Sequence, residues 1–522
     1  MKRMILSLAA PLALWIASTA GADEPLHVRV DEFIAQGAKG HAVAPVADDA
    51  EFLRRAYLDF AGRIPSADEA RKFLADESEQ KRVALIDELL ALPEYSRRMQ
   101  ELFHVLLMER RGDHDGWRDY LRESFAENKP WDQLVREMLT PQTGEDADHG
   151  SDFFLAKRLY AYGANSIDHE GLTRDVGRMF LGIDLQCAQC HDHLFIYDYE
   201  QVDFQGLLAA YKNLKIRGKE FPAMDEKPMA EKLEFISVFE SEAKQTGPRV
   251  PGGKEIEAPE KPGPDYSAVA LVGAELPSAD NELFTLNIAN RLWFIMMGRG
   301  LVHPIDLHHS DNPASHPELL ELLAKEFVAH EFDIRWMLRE LALTQTYQRS
   351  SRLPEGEEIG TPEMFTVAIQ KRLSAEQLMW STLQATGALD RVTQSQGTMV
   401  EKPDEKLEAL QKSFVEAFSN PPREPETEYA ASVQGALFLL NDEQVVGLFE
   451  PQKGNLMSRV AALSDPAQIA EELYLSILTR PPSAEEQADV AAYLEENSEQ
   501  REAALGRLGW ALLASLEFSV NH

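Results

Sequence analysis

The sequence predicts a mainly α, multi-helical protein: two helical domains joined by an irregular Pro/Gly-rich segment with possible short strands. Three observations carry this reading. Apolar residues recur at three- and four-residue spacing over most of the chain, as on the buried face of a helix. Helix-starting patterns, a Ser followed three residues later by Glu or Gln, stand at Ser66–Glu69, Ser315–Glu318 and Ser374–Gln377. Between residues 215 and 277 this periodicity gives way to alternating Gly, Pro, Lys and Glu, the texture of a linker or insertion. A chain of 522 residues, 44% of them hydrophobic, is long enough for such a division and for a large core.

Taken in order, Met1 to Ala22 reads as a signal peptide: Lys2 and Arg3, an apolar run from Met4 to Ile16, then Ala20-Gly21-Ala22. That places the mature chain outside the cytoplasm, in the periplasm or secreted. No later stretch is apolar over the roughly 20 residues that a membrane-spanning helix needs. The formal charge is -35, which repels nucleic acid and anionic membrane surfaces and suits a well-solvated acidic protein. Residues 48–214 form the expected N-terminal helical domain. Within it, Phe52, Ala56 and Phe60 mark one helix, and Leu102, Leu106, Trp117, Leu121, Phe125 and Leu134 are expected core. Residues 173–185 and 199–214 are expected helices on either side of a cysteine motif. In the 215–277 segment, Phe235–Phe239 and Ala268–Val272 are candidate strands. Helical spacing resumes for the C-terminal domain, 278–522, with Phe284, Ile288 and Leu292 on one face.

One unit occurs twice. Tyr57-Leu58, Arg63, Pro65-Ser66-Ala67 and Glu69 return at a constant offset as Tyr474-Leu475, Arg480, Pro482-Ser483-Ala484 and Glu486. Glu94-Tyr95 closes the first copy and Glu517-Phe518 the second. Two copies are too few for a solenoid, so the expectation is a helical hairpin used twice, packed as a pair.

The only two cysteines lie together in Gln186-Cys187-Ala188-Gln189-Cys190-His191-Asp192-His193. C-x-x-C-H is the attachment pattern of haem c: Cys187 and Cys190 would be the thioether donors and His191 the iron ligand. His193, two residues on, cannot cross the porphyrin plane. His104, Met108, His114, His149 and His169 are candidates for the opposite face. Two other chemistries stay open. The same Cys and His side chains could hold a non-haem metal, or the cysteines could form a structural disulfide in an interaction scaffold. The His/Asp-rich run Val302–Asn312 is either a second site or an exposed loop. No G-x-S-x-G, H-E-x-x-H or P-loop pattern is present, so no reaction is assigned.

Phe52-Leu53-Arg54-Arg55, Tyr57-Leu58-Asp59 and Gly62-Arg63-Ile64-Pro65, followed by Phe180-Leu181-Gly182 and the cysteine motif, resemble the first half of a planctomycete-type cytochrome-associated family with paired domains of unknown function, the PSCyt and PSD types. Asn290-Arg291-Leu292-Trp293, Gly298–Val302, Ser315–Leu320, Thr346-Tyr347 and the closing Glu517-Phe518 resemble its second half. Many relatives have a further N-terminal cytochrome domain and a Pro after the position of His193; here there is a single C-x-x-C-H, and Leu194 follows. The resemblance implies secretion and a cytochrome link; the C-x-x-C-H motif with the signal peptide points to electron transfer or an oxidoreductase role, with an unknown redox partner and substrate. It implies no particular reaction.

Overall fold

The computed structural model describes residues 24–141, 150–160, 167–217, 222–389, 405–426 and 433–522. The expected signal peptide and His149 lie outside them. The protein is mainly α: helices account for most of the described residues, and among these residues the strands form three two-stranded pairs. None of the described helices is long and apolar enough to cross a membrane.

Local chemistry explains the helix boundaries. Ser66 accepts the Glu69 amide while the Glu69 carboxylate accepts the Ser66 amide, and Ser374 with Gln377 does the same, so both expected capping boxes form. The third does not. At Pro317–Ala329 the residue before the helix is His316, which makes no side-chain cap, and Pro317 alone starts the turn because it has no amide to leave unpaired. Pro93 plays the same part for Pro93–Met108, ending one helix and opening the next.

The 215–277 segment does contain strands: Leu214–Ile216 pairs with Met224–Glu226, and Leu233–Ile236 with Ala243–Thr246, both antiparallel. The expected strand at Ala268–Val272 is instead the start of the helix Ala268–Glu275. Ser267 caps it, and the Glu226 carboxylate accepts from the Ala268 amide (2.8 Å), satisfying end groups that a strand would have left to a neighbour. The apolar run is continuous because the helix is buried, which periodicity alone cannot distinguish from a strand.

Two hydrophobic cores result, and they do not divide at the Pro/Gly-rich segment. The larger gathers residues from Leu26 to Phe365, on both sides of 215–277, and adds Leu475. The smaller runs from Leu373 to Phe518 and adds Leu58 and Ile64. Leu58 and Leu475 are equivalent positions of the duplicated unit. Each copy therefore inserts the same leucine into the other's core, a reciprocal exchange with the character of a two-fold contact. Arg71 reaches Glu472 across the pair.

The copies also share their internal chemistry. Arg63 lies 5.2 Å from the Tyr57 ring centre and Arg480 5.3 Å from that of Tyr474. Arg63 binds Glu69 (2.9 Å) and Glu94 (3.5 Å); Arg480 binds Glu486 (2.7 Å) and Glu517 (2.5 Å). The repeated Tyr, Arg, Ser and Glu are thus one device, an arginine that locks a capped helix to the end of its hairpin.

Arg54, Arg55 and Asp59 of Asp49–Phe60 tie the chain together. Arg54, fully buried, donates to the carbonyls of Phe518 (2.7 Å) and Glu517 (3.3 Å), and burial pulls its pKa down to about 10. Arg55 donates to Arg349 O (2.8 Å) and His522 O (3.0 Å). Asp59 accepts from Tyr347 Oη (2.9 Å), Asn521 Nδ2 (2.9 Å) and Lys371 Nζ (2.8 Å). The Lys371 ammonium also donates to Ile295 O (3.0 Å) and Met296 O (3.1 Å), at the end of Glu282–Met297, where a cation meets the negative pole of the helix.

Two outcomes follow. Lys371→Met leaves Asp59 buried without its cation and is expected to cost about 3 kcal/mol or more in urea unfolding, because breaking a buried pair strands the remaining charge. The second concerns acid. Hydrogen bonds and charge from Arg480 hold the Glu486 carboxyl down at about 2. Its stabilisation is complete above the ordinary carboxylate range and is lost as pH falls through the folded value. Glu486→Gln is therefore expected to flatten the fall in unfolding free energy between pH 4.5 and 2 by about 1 kcal/mol after screening by solvent.

Candidate functional site

The chain reaches the cysteine motif through a helix that changes gauge. Expected as one helix over 173–185, it is an α-helix over His169–Val176, capped by Asp168, followed by a π-helical turn over Gly177–Leu181. Such turns are frequent at functional sites because they re-aim the chain that follows. Gly182 ends it at φ 69°, where a Cβ would meet the His308 ring at 2.6 Å and Asn287 Oδ1 at 2.7 Å, so only glycine fits. Beyond it, Ile183 and Leu185 are buried, and the motif opens as a single 3₁₀ turn, Cys187–Gln189.

Within this turn Ala188 is fully buried while Cys187 and Cys190 on either side are exposed, with neither sulfur bonded to the other. The C-x-x-C spacing on a 3₁₀ turn, where residues three apart eclipse, puts both thiols on one face. The backbone is fixed from all sides. Cys190 N donates to Cys187 O (3.3 Å), Val238 N to Cys190 O (3.1 Å) and Gln205 Nε2 to Gln189 O (2.9 Å). Arg174 binds the Gln189 side chain at 2.6 Å. Asp192 accepts from the Gln201 amide (2.7 Å), which starts the helix Gln201–Tyr211 on the far side.

The two motif histidines are in opposite states. His191 Nδ1 lies 2.6 Å from Asp192 O, and because a carbonyl only accepts, Nδ1 carries the proton and Nε2 the free lone pair. His193 Nδ1 accepts from the Ile196 amide (2.9 Å) and the Phe195 amide (3.3 Å), so in the neutral ring the proton is on Nε2. In its neutral ring His191 thus leaves Nε2 unprotonated, whereas His193 is a staple for the loop that follows. His193 N also donates to Tyr199 O (2.9 Å), closing that loop.

The surroundings of the thiols are apolar and open to solvent. The His191 ring sits 4.8 Å from that of Phe239, which is 67% exposed; Val238 and Ile236 beside it, and Leu194, Phe195 and Tyr197 on the stapled loop, are exposed as well. A cluster of exposed apolar side chains around one turn marks a surface meant to be covered. The expectation of a strand through Phe239 missed this, since pairing stops at Ile236 and the chain then turns the next residues onto the motif.

The His/Asp run 302–312 is part of the platform. His308 N donates to Gly182 O (2.8 Å), Tyr199 Oη to His308 O (3.1 Å), and Ser310 N and Oγ to Asp198 (3.0 and 2.5 Å). Burial, aided by Arg291, pushes the His308 pKa down to about 4, so its ring is neutral at ordinary pH. Asn290 holds the loop from the other side, accepting from Val302 N (3.0 Å) and donating to Val302 O (2.9 Å). Among the described residues, no group of three or more His, Cys, Asp or Glu gathers as a metal-ion cluster.

The candidates for an opposite-face ligand are occupied elsewhere. His104 accepts from Trp117 Nε1 (3.0 Å), Met108 is fully buried in the larger core, His114 stacks on Phe153, and His169 Nε2 meets Leu214 O (2.9 Å).

A helical protein with a dithiol-histidine turn braced by a second helical segment is the class that this geometry defines. Residues 29–216 match the family described as PSCyt2, protein of unknown function (DUF1549), and residues 273–494 match PSD1, protein of unknown function (DUF1553). The chain belongs to the family that pairs these two domains. No curated protein and no solved structure matches it.

His193→Leu removes the acceptor of two amides without touching either thiol. Hydrogen exchange at Phe195 and Ile196 is expected to quicken by about tenfold or more, while global stability moves by less than about 1 kcal/mol.

Proposed function

We propose that this chain is an extracytoplasmic c-type haem protein, in which Cys187 and Cys190 form thioethers and His191 binds iron through Nε2. The observation that carries this reading is the tautomer of His191: its Nδ1 proton is held by Asp192 O (2.6 Å), beside two thiols that are exposed and unbonded. The residues present fit the group. The thiols share one face of a rigid turn, and Phe239, Val238, Phe195 and Leu194 offer apolar cover for a flat macrocycle. Bound there, the iron would supply one-electron chemistry between its ferrous and ferric states. The protein's own part is to hold His191 in its ligating tautomer, to fix the turn through Arg174 and Gln205, and to shield one side of the site from water.

His193 argues against a non-haem metal held by both histidines. Ligation through its Nε2 would require the proton to move to Nδ1, which would then face the two amides it accepts from now. The role is therefore electron transfer or an oxidoreductase step, with a redox partner and substrate that the motif does not specify.

The protein made together with haem-maturation machinery is expected to show a pyridine haemochrome band equivalent to one haem per chain, surviving denaturation and lost in Cys187→Ser with Cys190→Ser. Absence of a covalent band overturns the proposal. Stoichiometric metal in haem-free protein would point to a non-haem site, and cofactor-free protein with only reduced stability in Cys187→Ser would point to a scaffold with a structural disulfide.

A further inference from the structure

A wide cavity lies away from the cysteine motif, at the seam of the two cores. It measures about 1010 Å³ and is walled by Pro93–Met108 and Asp115–Ala126 on one side and by Ala375–Thr386 and Glu405–Phe418 on the other. Clefts at such seams are common ligand sites, and this one stands at the upper end of the roughly 300–1,000 Å³ of small-molecule pockets.

Its arginines are already committed to carboxylates. Arg97 binds Glu101 (3.1 Å), Arg110 binds Glu376 (2.5 Å) and Glu426 (2.8 Å), Arg118 binds Asp113 (2.7 Å), and Arg122 binds Asp119 (2.6 Å). A cleft built to hold an anion would leave a cation uncommitted; among the described residues the lining charge without an ion pair is a carboxylate, that of the exposed Glu408. What it does leave is neutral hydrogen-bonding capacity. His104 is largely buried and faces the cavity; its Nδ1 accepts from Trp117 (3.0 Å), so Nε2 carries the proton, and among the described residues nothing accepts it. Burial lowers its pKa and keeps the ring neutral. Gln100 and Gln411, on opposite walls, have side-chain amides with no hydrogen-bond partner among the described residues. Each offers a donor and an acceptor.

We infer that this cleft binds a neutral polyhydroxylated chain, an oligosaccharide, held by His104, Gln100 and Gln411 between walls of paired charges. Hydroxyls both donate and accept, so they can be satisfied by amides, a neutral imidazole N–H and ion-paired carboxylates at once. An anionic ligand would have to displace an existing pair. The inference does not depend on haem, and the same protein can be tested with or without it.

The experiment is isothermal titration of the full chain with neutral gluco- and xylo-oligosaccharides and with a sulfated oligosaccharide, with Trp380 and Trp117 as fluorescent reporters. Saturable binding of a neutral chain is expected, weakened at least tenfold in Gln100→Ala with Gln411→Ala and in His104→Phe. The glutamine pair lies on the cavity wall outside the cores, so an unchanged melting temperature is the control for folding. No saturable binding by any neutral oligosaccharide overturns the proposal, as does binding only of the sulfated one or undiminished binding by the glutamine variant.

Discussion

A buried carboxylate, Asp59, is the point on which the architecture closes. It stands near the end of Asp49–Phe60 and accepts from Tyr347, Lys371 and Asn521, which come from three separate stretches of the chain. Its cation is shared with the last carbonyls of Glu282–Met297, so one ion pair fixes the first hairpin, the end of a central helix and the C-terminal strand Val520–Asn521. Two further arginines of the same helix finish the work: Arg54 donates to the carbonyls of the C-terminal stretch, and Arg55 to carbonyls and to the Glu51 carboxylate. Burial opposes the charge of the Arg54 guanidinium, and the carbonyl oxygens that accept from it offset that cost, which makes this region sensitive to any change that removes an acceptor.

That closure explains why the two family segments occur in one chain. The thiol-bearing turn belongs to the first, yet its platform is built largely by the second: His308 and Ser310 brace the loop, Asn290 holds the loop that carries them, and Asn287 donates to Met179 O (2.9 Å) in the π turn. Arg178 and Arg291 meet at Asp306, crossing the same boundary. Separated from the second segment, the Gly182 turn would lose the contacts that require it to be glycine.

Much of this was legible in the sequence, for identifiable reasons. Capping boxes at Ser66 and Ser374 are local, and local hydrogen bonds form wherever the residues allow. The duplicated hairpin was visible because its arginine device repeats residue for residue, and its pairing follows from the exchange of Leu58 and Leu475. The division into cores was not legible, because the Pro/Gly-rich segment is an excursion with its own small strand pairs, while the cores divide where helices from both ends of the chain meet. Composition reports flexibility along the chain, whereas a core is a matter of what returns to what. At the site, the spacing of Cys187, Cys190 and His191 located the turn, but the opposite tautomers of His191 and His193 depend on Asp192 O and on the amides of Phe195 and Ile196, which no residue pattern displays.

The size of the protein relative to its motif then has a physical explanation. A dithiol-histidine turn needs only a short helix before it, a capped helix after it and something to cover its open face. The remaining structure sets the walls of a wide cleft, in which the pairs Arg97–Glu101 and Arg110–Glu376 are buried at a cost in desolvation. Filling it with hydrophobic side chains would have joined the two cores into one and removed the need for Arg97, Arg110 and their partners. The seam therefore joins two opposite kinds of contact: the exchanged leucines and Asp59, which hold the cores together, and the buried pairs of Arg97 and Arg110, which keep polar groups between them.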